Sequence, residues 1–319
     1  SSFPSVEESV VWDAVENPAG IVFSVGETAV GTDGRRALNL CAFKPDGSIL
    51  WERTALSLGD AAGFSAVTVE DGFIVCGSVK DTSCTEGFLM RLDSEGNTLW
   101  TAREGYSGED SFNDLVLTSE GLLIAAGYSF NCETGDRDLL AACFTDSGTV
   151  LWKKRFTAPG YQTAGSITAD TSPEGGYLIT GSDQGDAFLM KIDKDGNWSW
   201  KTIHSIDGHQ TGTDIAPLAD GGYIVTGSTR QGALFSDALM VFFDSGGMVV
   251  SDYSWGRDDP DMARAVIEVP PAGFAVLVNS NSGSGEGYRP WLIRFDPWLS
   301  RIWQMELTDS DAIFYSVSA

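Results

Sequence analysis

A unit of about 50 residues recurs six times along the chain, and this repeat constrains the fold more than any other feature of the sequence. Each copy ends at a landmark position that holds tryptophan in five copies, and these positions are 48 to 52 residues apart. They are Trp51, Trp100, Trp152, Trp200, Ser251 and Trp303. A glycine lies four residues before the landmark in every copy except the last, which has Leu299. A repeat of this length predicts an array of like units, each packed on its neighbours.

Each copy predicts four short strands, lettered A to D. In the fourth copy we place them at 166–169, 177–180, 187–192 and 198–203. Strands B and C are short apolar runs, and the A–B and C–D connections have the Gly, Asn and Asp composition of hairpin turns. Such a meander cannot bury both of its faces alone. Radial stacking therefore predicts an all-β propeller with six four-stranded blades, in which the landmark tryptophan packs between neighbouring blades.

We expect one propeller domain over residues 1–319. Its repeats cover approximately 10–54, 55–104, 105–156, 157–203, 204–254 and 255–306, with a closing strand at 311–317. Both chain ends offer a candidate strand A. We expect the C-terminal strand to seal the first blade and the N-terminal segment to be displaced or to add at an edge. Seven blades, one of them incomplete, is the alternative.

The charge balance excludes two classes of partner. The formal net charge is −25, from 45 acidic and 20 basic residues, whereas nucleic acids and anionic membranes require basic surfaces. No apolar run of about 18 residues is present, so we predict no membrane span. The acidic excess favours solubility as its explanation, with cation binding as the alternative.

Two stretches carry a resemblance to a known class of proteins. Gly221–Ser228 (GGYIVTGS) and Asp186–Asp193 (DAFLMKID) resemble the repeats of bacterial and archaeal cell-surface propellers, and Gly148–Trp152 more weakly resembles pyrroloquinoline-quinone-type propeller repeats. The resemblance runs from about residue 10 to about residue 317. It implies a secreted or surface-anchored propeller, often one module of a larger assembly. It implies nothing specific about activity, because one fold hosts many functions.

The meander sorts its connections onto two faces. The A–B and C–D turns form a hairpin face, and the B–C and D–A loops form a loop face with more varied sequences. Function tends to reside on loops held by a rigid scaffold, so we predict a ligand site on the loop face. The candidate ligand residues are Tyr106, Asp110, Tyr161, His204, His209, Trp255, Arg257, Asp258 and Arg289. Aromatic rings beside carboxylates and arginines suit a surface glycan or a protein. Purely structural loop residues are the alternative.

Metal and disulfide chemistry have weaker signals. Asp258, Asp259 and Asp261 supply carboxylates for a calcium ion but no complete ligand set, so we predict no cofactor and leave calcium open. Cys84 and Cys132 fall in equivalent B–C loops of adjacent blades. We predict a disulfide between them, which would indicate an oxidising compartment.

The machinery of common enzymes is missing from the sequence. No Gly-x-Ser-x-Gly elbow, phosphate-binding loop or Rossmann glycine pattern occurs. We therefore predict a non-catalytic binding or scaffold propeller that is monomeric as a domain, and the resemblance implies that it is extracellular or on a cell surface. The alternative is a lyase or hydrolase that acts on glycans at the central mouth of the loop face.

Overall fold

The structure is a computed structural model of the chain. It describes residues 9–30, 34–55, 58–81, 84–106, 108–231, 235–256, 260–269, 273–281, 288–307 and 316. Among these residues, none belongs to a helix with the length and apolarity needed to cross a bilayer.

The described strands form consecutive antiparallel sets of four, which we call the first to the sixth sheet. The first and second sheets contain β1 (Ser9–Glu16), β2 (Val22–Val30), β3 (Arg35–Phe43), β4 (Ile49–Ala55), β5 (Asp60–Val69), β6 (Gly72–Lys80), β7 (Thr85–Asp93) and β8 (Thr98–Glu104). The third and fourth contain β9 (Gly108–Leu117), β10 (Leu123–Asn131), β11 (Arg137–Phe144), β12 (Val150–Phe156), β13 (Gln162–Ala169), β14 (Tyr177–Asp183), β15 (Asp186–Ile192) and β16 (Trp198–His204). The fifth and sixth contain β17 (His209–Pro217), β18 (Tyr223–Arg230), β19 (Asp237–Phe243), β20 (Val249–Trp255), β21 (Asp261–Glu268), β22 (Phe274–Asn281), β23 (Tyr288–Phe295) and β24 (Arg301–Glu306).

Strand pairing follows chain order in every sheet, as a meander requires. A single parallel bridge between Thr85 and Glu109 joins the second sheet to the third. The first strand of each sheet lies beside the first strand of the next, and together these inner strands surround a central channel. The all-β prediction is confirmed. The predicted strands are too short, however: β13 begins at Gln162, which pairs with Asp183, because its polar start lacks the apolar run that marks a strand.

The N-terminal segment is not displaced. β1 pairs with β2 from Ser9 opposite Thr28 to Glu16 opposite Val22, so it is the inner strand of the first sheet. β1 thus adds at the edge of the first sheet beside β2, and the sealing of this sheet by the C-terminal strand stays a prediction. Of the predicted closing strand 311–317, only Ser316 lies within the described residues, and its hydroxyl accepts a hydrogen bond from the Ala14 backbone N–H at 3.3 Å. Ser316 thus lies beside β1.

The apolar core is divided among the junctions between consecutive sheets. A separate buried cluster fills each of the five junctions from the first–second to the fifth–sixth. At the first–second junction, for example, the fully buried rings of Phe23 and Phe73 stack with centroids 4.3 Å apart. No such cluster joins the sixth sheet to the first among the residues that the structure describes. Apolar burial drives the stacking of sheets at the five filled junctions.

The landmark tryptophan closes four of these junctions on the hairpin face. Its ring lies against the C–D turn glycine of the next sheet, and we call this contact the Trp–Gly latch. The four latches are Trp51 on Gly96, Trp100 on Gly148, Trp152 on Gly196 and Trp200 on Gly247. In three of them the indole N–H donates to the carbonyl two residues before the glycine, namely Ser94, Asp146 and Lys194, at 2.8, 3.1 and 3.1 Å. The predicted packing role is confirmed for these four tryptophans.

Candidate functional site

The inner strands place small polar side chains at one level of the central channel. Aspartate and serine alternate there, and the positions recur at intervals of 48 to 52 residues. In chain order they are Asp13, Ser65, Asp114, Ser166, Asp214, Ala265 and Ser316. We call the six polar members the Asp–Ser ring. The alanine of the sixth sheet is its one interruption.

Each aspartate of the ring fastens its own sheet to the next one. One carboxylate oxygen accepts the N–H of the following residue in the same strand, at 2.8 Å in all three cases. The other oxygen accepts an N–H from the inner strand of the next sheet. These inter-sheet bonds join Asp13 to Ala66 at 2.9 Å, Asp114 to Ile167 at 2.8 Å and Asp214 to Val266 at 2.8 Å. Hydrogen bonds of this kind offset the cost of placing a carboxylate deep in the protein.

Serines connect the aspartates to one another. The Ser166 hydroxyl oxygen lies 2.8 Å from Asp114 Oδ2 and 3.0 Å from Asp214 Oδ1. A hydroxyl has a single proton, so it donates to one of these carboxyls at a time. Burial, assisted by the negative charge of Asp114, raises the pKa of Asp214 to about 7. When Asp214 holds a proton, it can donate to Ser166 while Ser166 donates to Asp114.

The same arrangement continues toward the first sheet. Ser65 and Ser316 lower the pKa of Asp13, and Ser65 lowers that of Asp114, so these hydroxyls lie beside the carboxyls. Burial is the main cause that raises the pKa of Asp13 and of Asp114. Carboxyls and hydroxyls therefore alternate along the channel from Ser316 to Asp214.

The channel at the ring holds a cavity of about 220 Å³. Trp12 and Phe64 line it and pack edge to face with ring centroids 5.7 Å apart. Both oxygens of each ring carboxylate already accept backbone N–H groups, so these aspartates act as joints between sheets. A general acid or base must reach its substrate within hydrogen-bond distance, which this arrangement does not favour. The ring therefore does not strengthen the hypothesis of a glycan-cleaving enzyme.

On the loop face, Tyr106 lies in the connection from the second sheet to the third, whereas Asp110 is the third residue of β9. Asp110 is fully buried and its Oδ2 accepts the Tyr106 N–H at 2.8 Å, so it holds the loop rather than presenting itself to a ligand as predicted. Tyr106 is 39% exposed. Its ring lies 4.7 Å from Lys153 Nζ and 4.8 Å from Arg155 Cζ, both on β12. This contact between an aromatic face and two cations is the cation–π arrangement.

The next connection presents a second exposed tyrosine. Tyr161 is 59% exposed, and its carbonyl accepts the Gln184 N–H at 2.9 Å. Beside it, Arg137 donates its backbone N–H to Gly160 and stacks over the Tyr128 ring at 4.1 Å. Exposed tyrosines and cation–aromatic pairs therefore lie together at two adjacent junctions of the loop face.

The two histidines lie in different environments. His204 is the last residue of β16 and is buried, whereas His209 is the first residue of β17, is exposed, and lies against Gly185. The prediction that both line the ligand surface fails for His204, because its strand carries it into the interior. The predicted strand ended at residue 203, whereas β16 continues to His204, so this side chain belongs to the strand rather than to the loop.

The other predicted residues are spread over separate elements. Trp255 packs against the apolar cluster of the fifth–sixth junction, and Arg289 pairs with Glu306 at 3.0 Å. Arg257, Asp258 and Asp259 lie outside the described residues. Asp261 is fully buried at the start of β21, where its N–H donates to the Ser236 carbonyl. Calcium at this run stays a prediction, with Asp261 placed inside the protein rather than on a loop.

The predicted disulfide is not formed in the structure, because a strand separates the two cysteines. Cys132 is an exposed free thiol, and no disulfide bond joins it to Cys84. β9 begins between the two loops: its Glu109 pairs with Thr85 on one side, and its Gly108 pairs with Asn131 on the other. The two loops are therefore two strand spacings apart, each of about 4.8 Å. Together these spacings exceed the Cα separation that a disulfide spans. Cys84 instead belongs to a turn in which its N–H donates to Asp81 Oδ1 at 3.1 Å.

The Asp–Ser ring was not among the predicted site residues. Its signal was present in the sequence as polar residues at the repeat interval inside otherwise apolar strands. Only alignment of the copies on their inner strands, rather than on the tryptophan, brings these positions into register.

Comparisons with known proteins agree on the architecture. Residues 7–246 match the PQQ_2 family, whose model is described as outer membrane protein assembly factor BamB. The regulatory protein FlaEY of Caulobacter vibrioides is 24% identical over 221 residues, which covers 58% of this chain and 23% of FlaEY. The chain thus spans less than a quarter of the length of that curated relative.

Solved structures are similar in fold at low sequence identity. The WD40 domain of Neurospora crassa Pan2 has a TM-score of 0.59 and 10% identity, covering 91% of this chain and 76% of that one. Chaetomium thermophilum Sqt1 has a TM-score of 0.56 and 11% identity, covering 94% and 73%. These likenesses show the β-propeller fold alone.

Proposed function

Because the chain belongs to the PQQ_2 family of propeller-repeat proteins, we propose that it is a non-catalytic, protein-binding scaffold of the cell envelope, with six four-stranded blades and its partner site on the loop face. The family model is described as a factor that assembles outer membrane proteins, and this description favours a protein partner over a glycan. An extracellular or surface location belongs to the same proposal. FlaEY is described as a regulatory protein, which is also compatible with binding rather than catalysis.

The observation that carries this proposal is the pair of exposed tyrosines at adjacent junctions of the loop face. Tyr106 contacts Lys153 and Arg155, and Tyr161 lies beside Arg137. Tyrosine and arginine are enriched in the centres of protein interfaces because they bury much area while retaining polar contacts. Lys153 and Arg155 are ion-paired with Glu104 and Asp138, so this cluster would offer a partner aromatic and polar surface rather than a net positive charge.

Rigidity supports the same function. The Asp–Ser ring and the Trp–Gly latches fix neighbouring sheets at the inner and outer ends of their junctions. Loops on such a scaffold lose little conformational freedom when a partner binds, which favours affinity.

Photo-crosslinking in the protein's own cells tests the proposal. A photo-reactive phenylalanine analogue replaces Tyr106 in one variant and Tyr161 in another. We expect both variants to crosslink to the same protein partner, because the two side chains lie at adjacent junctions of one face. The matched control places the analogue at Leu151, which is 53% exposed on the hairpin side of β12.

Three outcomes oppose the proposal: no crosslink from either tyrosine, unrelated partners from the two positions, or the same partner from Leu151. Glycan turnover that is lost when Asp114 or Asp214 is replaced by asparagine, without loss of folding, would instead support the enzyme alternative.

A further inference from the structure

The fifth–sixth junction lacks both halves of the Trp–Gly latch. Ser251 replaces the tryptophan on the fifth sheet, and Leu299 replaces the turn glycine on the sixth. Leu299 keeps the left-handed backbone of the glycines, with φ of 66°. The turn therefore has the shape that receives an indole in four other junctions, but no tryptophan is among the described residues that line this one.

An open groove lies at this place on the hairpin face. It has a volume of about 520 Å³, and its apolar wall consists of Leu218, Phe242, Val250, Phe274 and Leu299. We call this the fifth-junction groove. Its volume falls in the range of pockets that bind small molecules and anchoring side chains. The carbonyl-bearing residue that corresponds to Ser94, Asp146 and Lys194 of the latches is Pro297, which also lines the groove.

Acidic side chains surround the apolar wall. Asp220, Asp244 and Glu268 line the groove, and none of its described lining residues is basic. Hydrogen bonds hold these carboxylates in place: Asp244 Oδ1 accepts the N–H groups of Gly246 and Met248, and Glu268 Oε1 accepts that of Ala219. A cationic group next to an aromatic ring would therefore meet opposite charge at the mouth.

The surface around the mouth is unusually apolar. Met248, Val250 and Trp298 are 63%, 66% and 82% exposed. Contiguous exposed apolar surface on a folded protein marks interaction sites more often than chance.

We propose that the fifth-junction groove docks an aromatic side chain of a protein partner, presented by a segment with lysine or arginine beside it. The aromatic ring would take the place that Trp51, Trp100, Trp152 and Trp200 take at the other latches, and the basic neighbours would pair with the rim carboxylates. This site is separate from the loop face and does not depend on the function proposed for it.

Isothermal titration calorimetry with the peptide acetyl-Lys-Trp-Lys-amide tests this inference, with acetyl-Lys-Ala-Lys-amide as the matched probe. We expect the tryptophan peptide to bind at least tenfold more tightly than the alanine peptide, and more weakly at high salt. The double variant Ser251→Trp/Leu299→Gly restores an internal latch and should abolish binding. Ser254→Trp, which adds the same indole three residues along β20, should leave binding unchanged.

A second variant protects the test against misfolding of the first. Val250→Arg changes a largely exposed side chain on the groove wall, so it should fold normally and weaken the tryptophan peptide at least tenfold. Equal binding of both peptides to the wild type, or unchanged binding by both groove variants, would overturn the inference. Replacement of Tyr106 and Tyr161 by alanine should not affect this titration, which separates its failure from that of the loop-face proposal.

Discussion

The first–second and fifth–sixth junctions are built on the same plan but are closed differently. Trp51 is only 8% exposed, lies on Gly96 and donates to the Ser94 carbonyl. At the fifth–sixth junction, Ser251 and Leu299 leave an open groove. Both junctions nevertheless contain a buried apolar cluster and an aspartate bond at the channel. A junction can therefore lack the Trp–Gly latch and still keep its aspartate bond at the channel and its buried apolar cluster.

The paired loss of tryptophan and glycine is informative. The left-handed backbone of the turn favours glycine, and a ring that presses on the turn leaves no room for a side chain, so a larger residue such as Leu299 fits only where the tryptophan is absent. The sixth sheet shows the reverse case. Trp303 is 43% exposed although it holds the landmark position, and no described atom of another residue lies within 4 Å of the Cβ position of Gly47 in the first sheet. The latch therefore depends on the position of the neighbouring sheet as well as on the two residue types.

Removal of a latched tryptophan should have the largest effect. Trp51→Ala is expected to lower the free energy of unfolding by about 3–5 kcal/mol, because it deletes a large buried side chain and leaves a cavity. Trp303→Ala, at an unlatched position, is expected to cost less than about 1 kcal/mol. Denaturant unfolding followed by circular dichroism measures both. Equal losses would mean that the latch contributes nothing beyond local packing.

Titration of Asp214 tests the aspartate hydrogen bond at the channel in the fifth–sixth junction, which lacks a Trp–Gly latch. Its pKa of about 7 lies above the ordinary value for aspartate, so between about pH 4 and pH 7 the folded protein holds a proton that the unfolded chain has released. Stability should therefore fall as pH rises through this window. Compared with Asp214→Asn, which does not titrate, the wild type should lose about 2–4 kcal/mol between these limits.

The measurement is a series of denaturation curves from pH 4 to pH 8 for both proteins. A constant stability difference across the series would contradict the raised pKa. Asp46→Asn is a suitable control, because Asp46 lies exposed in a C–D turn where hydrogen bonds from Ser48 lower its pKa. That variant should not remove the decrease in stability between pH 4 and pH 7.

Two turn glycines separate backbone strain from contact with the indole. Gly96 and Gly47 have φ of 79° and 80°, but only Gly96 lies under a tryptophan. Both alanine variants carry the strain of a left-handed residue, about 1 kcal/mol. Gly96→Ala should cost about 1–3 kcal/mol in total, because its methyl group also displaces the Trp51 ring. Thermal unfolding of the pair checks this, and equal losses would assign the whole cost to the backbone.

Restoration of the missing latch should have the smallest effect. Ser251→Trp/Leu299→Gly is expected to raise the free energy of unfolding by about 0.5–2 kcal/mol, as filling a groove commonly does. Ser251→Trp alone should gain less, because Leu299 occupies part of the site. A double variant less stable than the wild type would show that the sixth sheet is placed differently from its counterparts.

Much of the architecture was available from the sequence. The landmark tryptophans and turn glycines predicted the meander and the packing between sheets, because both depend on chain-local patterns repeated at one interval. The candidate site was harder to predict. Asp110 and His204 look like loop residues by position, and the strands extend further than their apolar runs, so both side chains are buried.

The sequence by itself determined the repeat, the strand order within each copy and the residues able to latch, since these follow from hydrophobic alternation and turn chemistry within about 50 residues. The tertiary structure alone decided which latches close, that β1 pairs with β2 in the first sheet, that β9 separates Cys84 from Cys132, and that Asp114 and Asp214 share the Ser166 hydroxyl in the channel. These features join residues from different copies. Their energies depend on distances and burial between sheets, which no local pattern specifies.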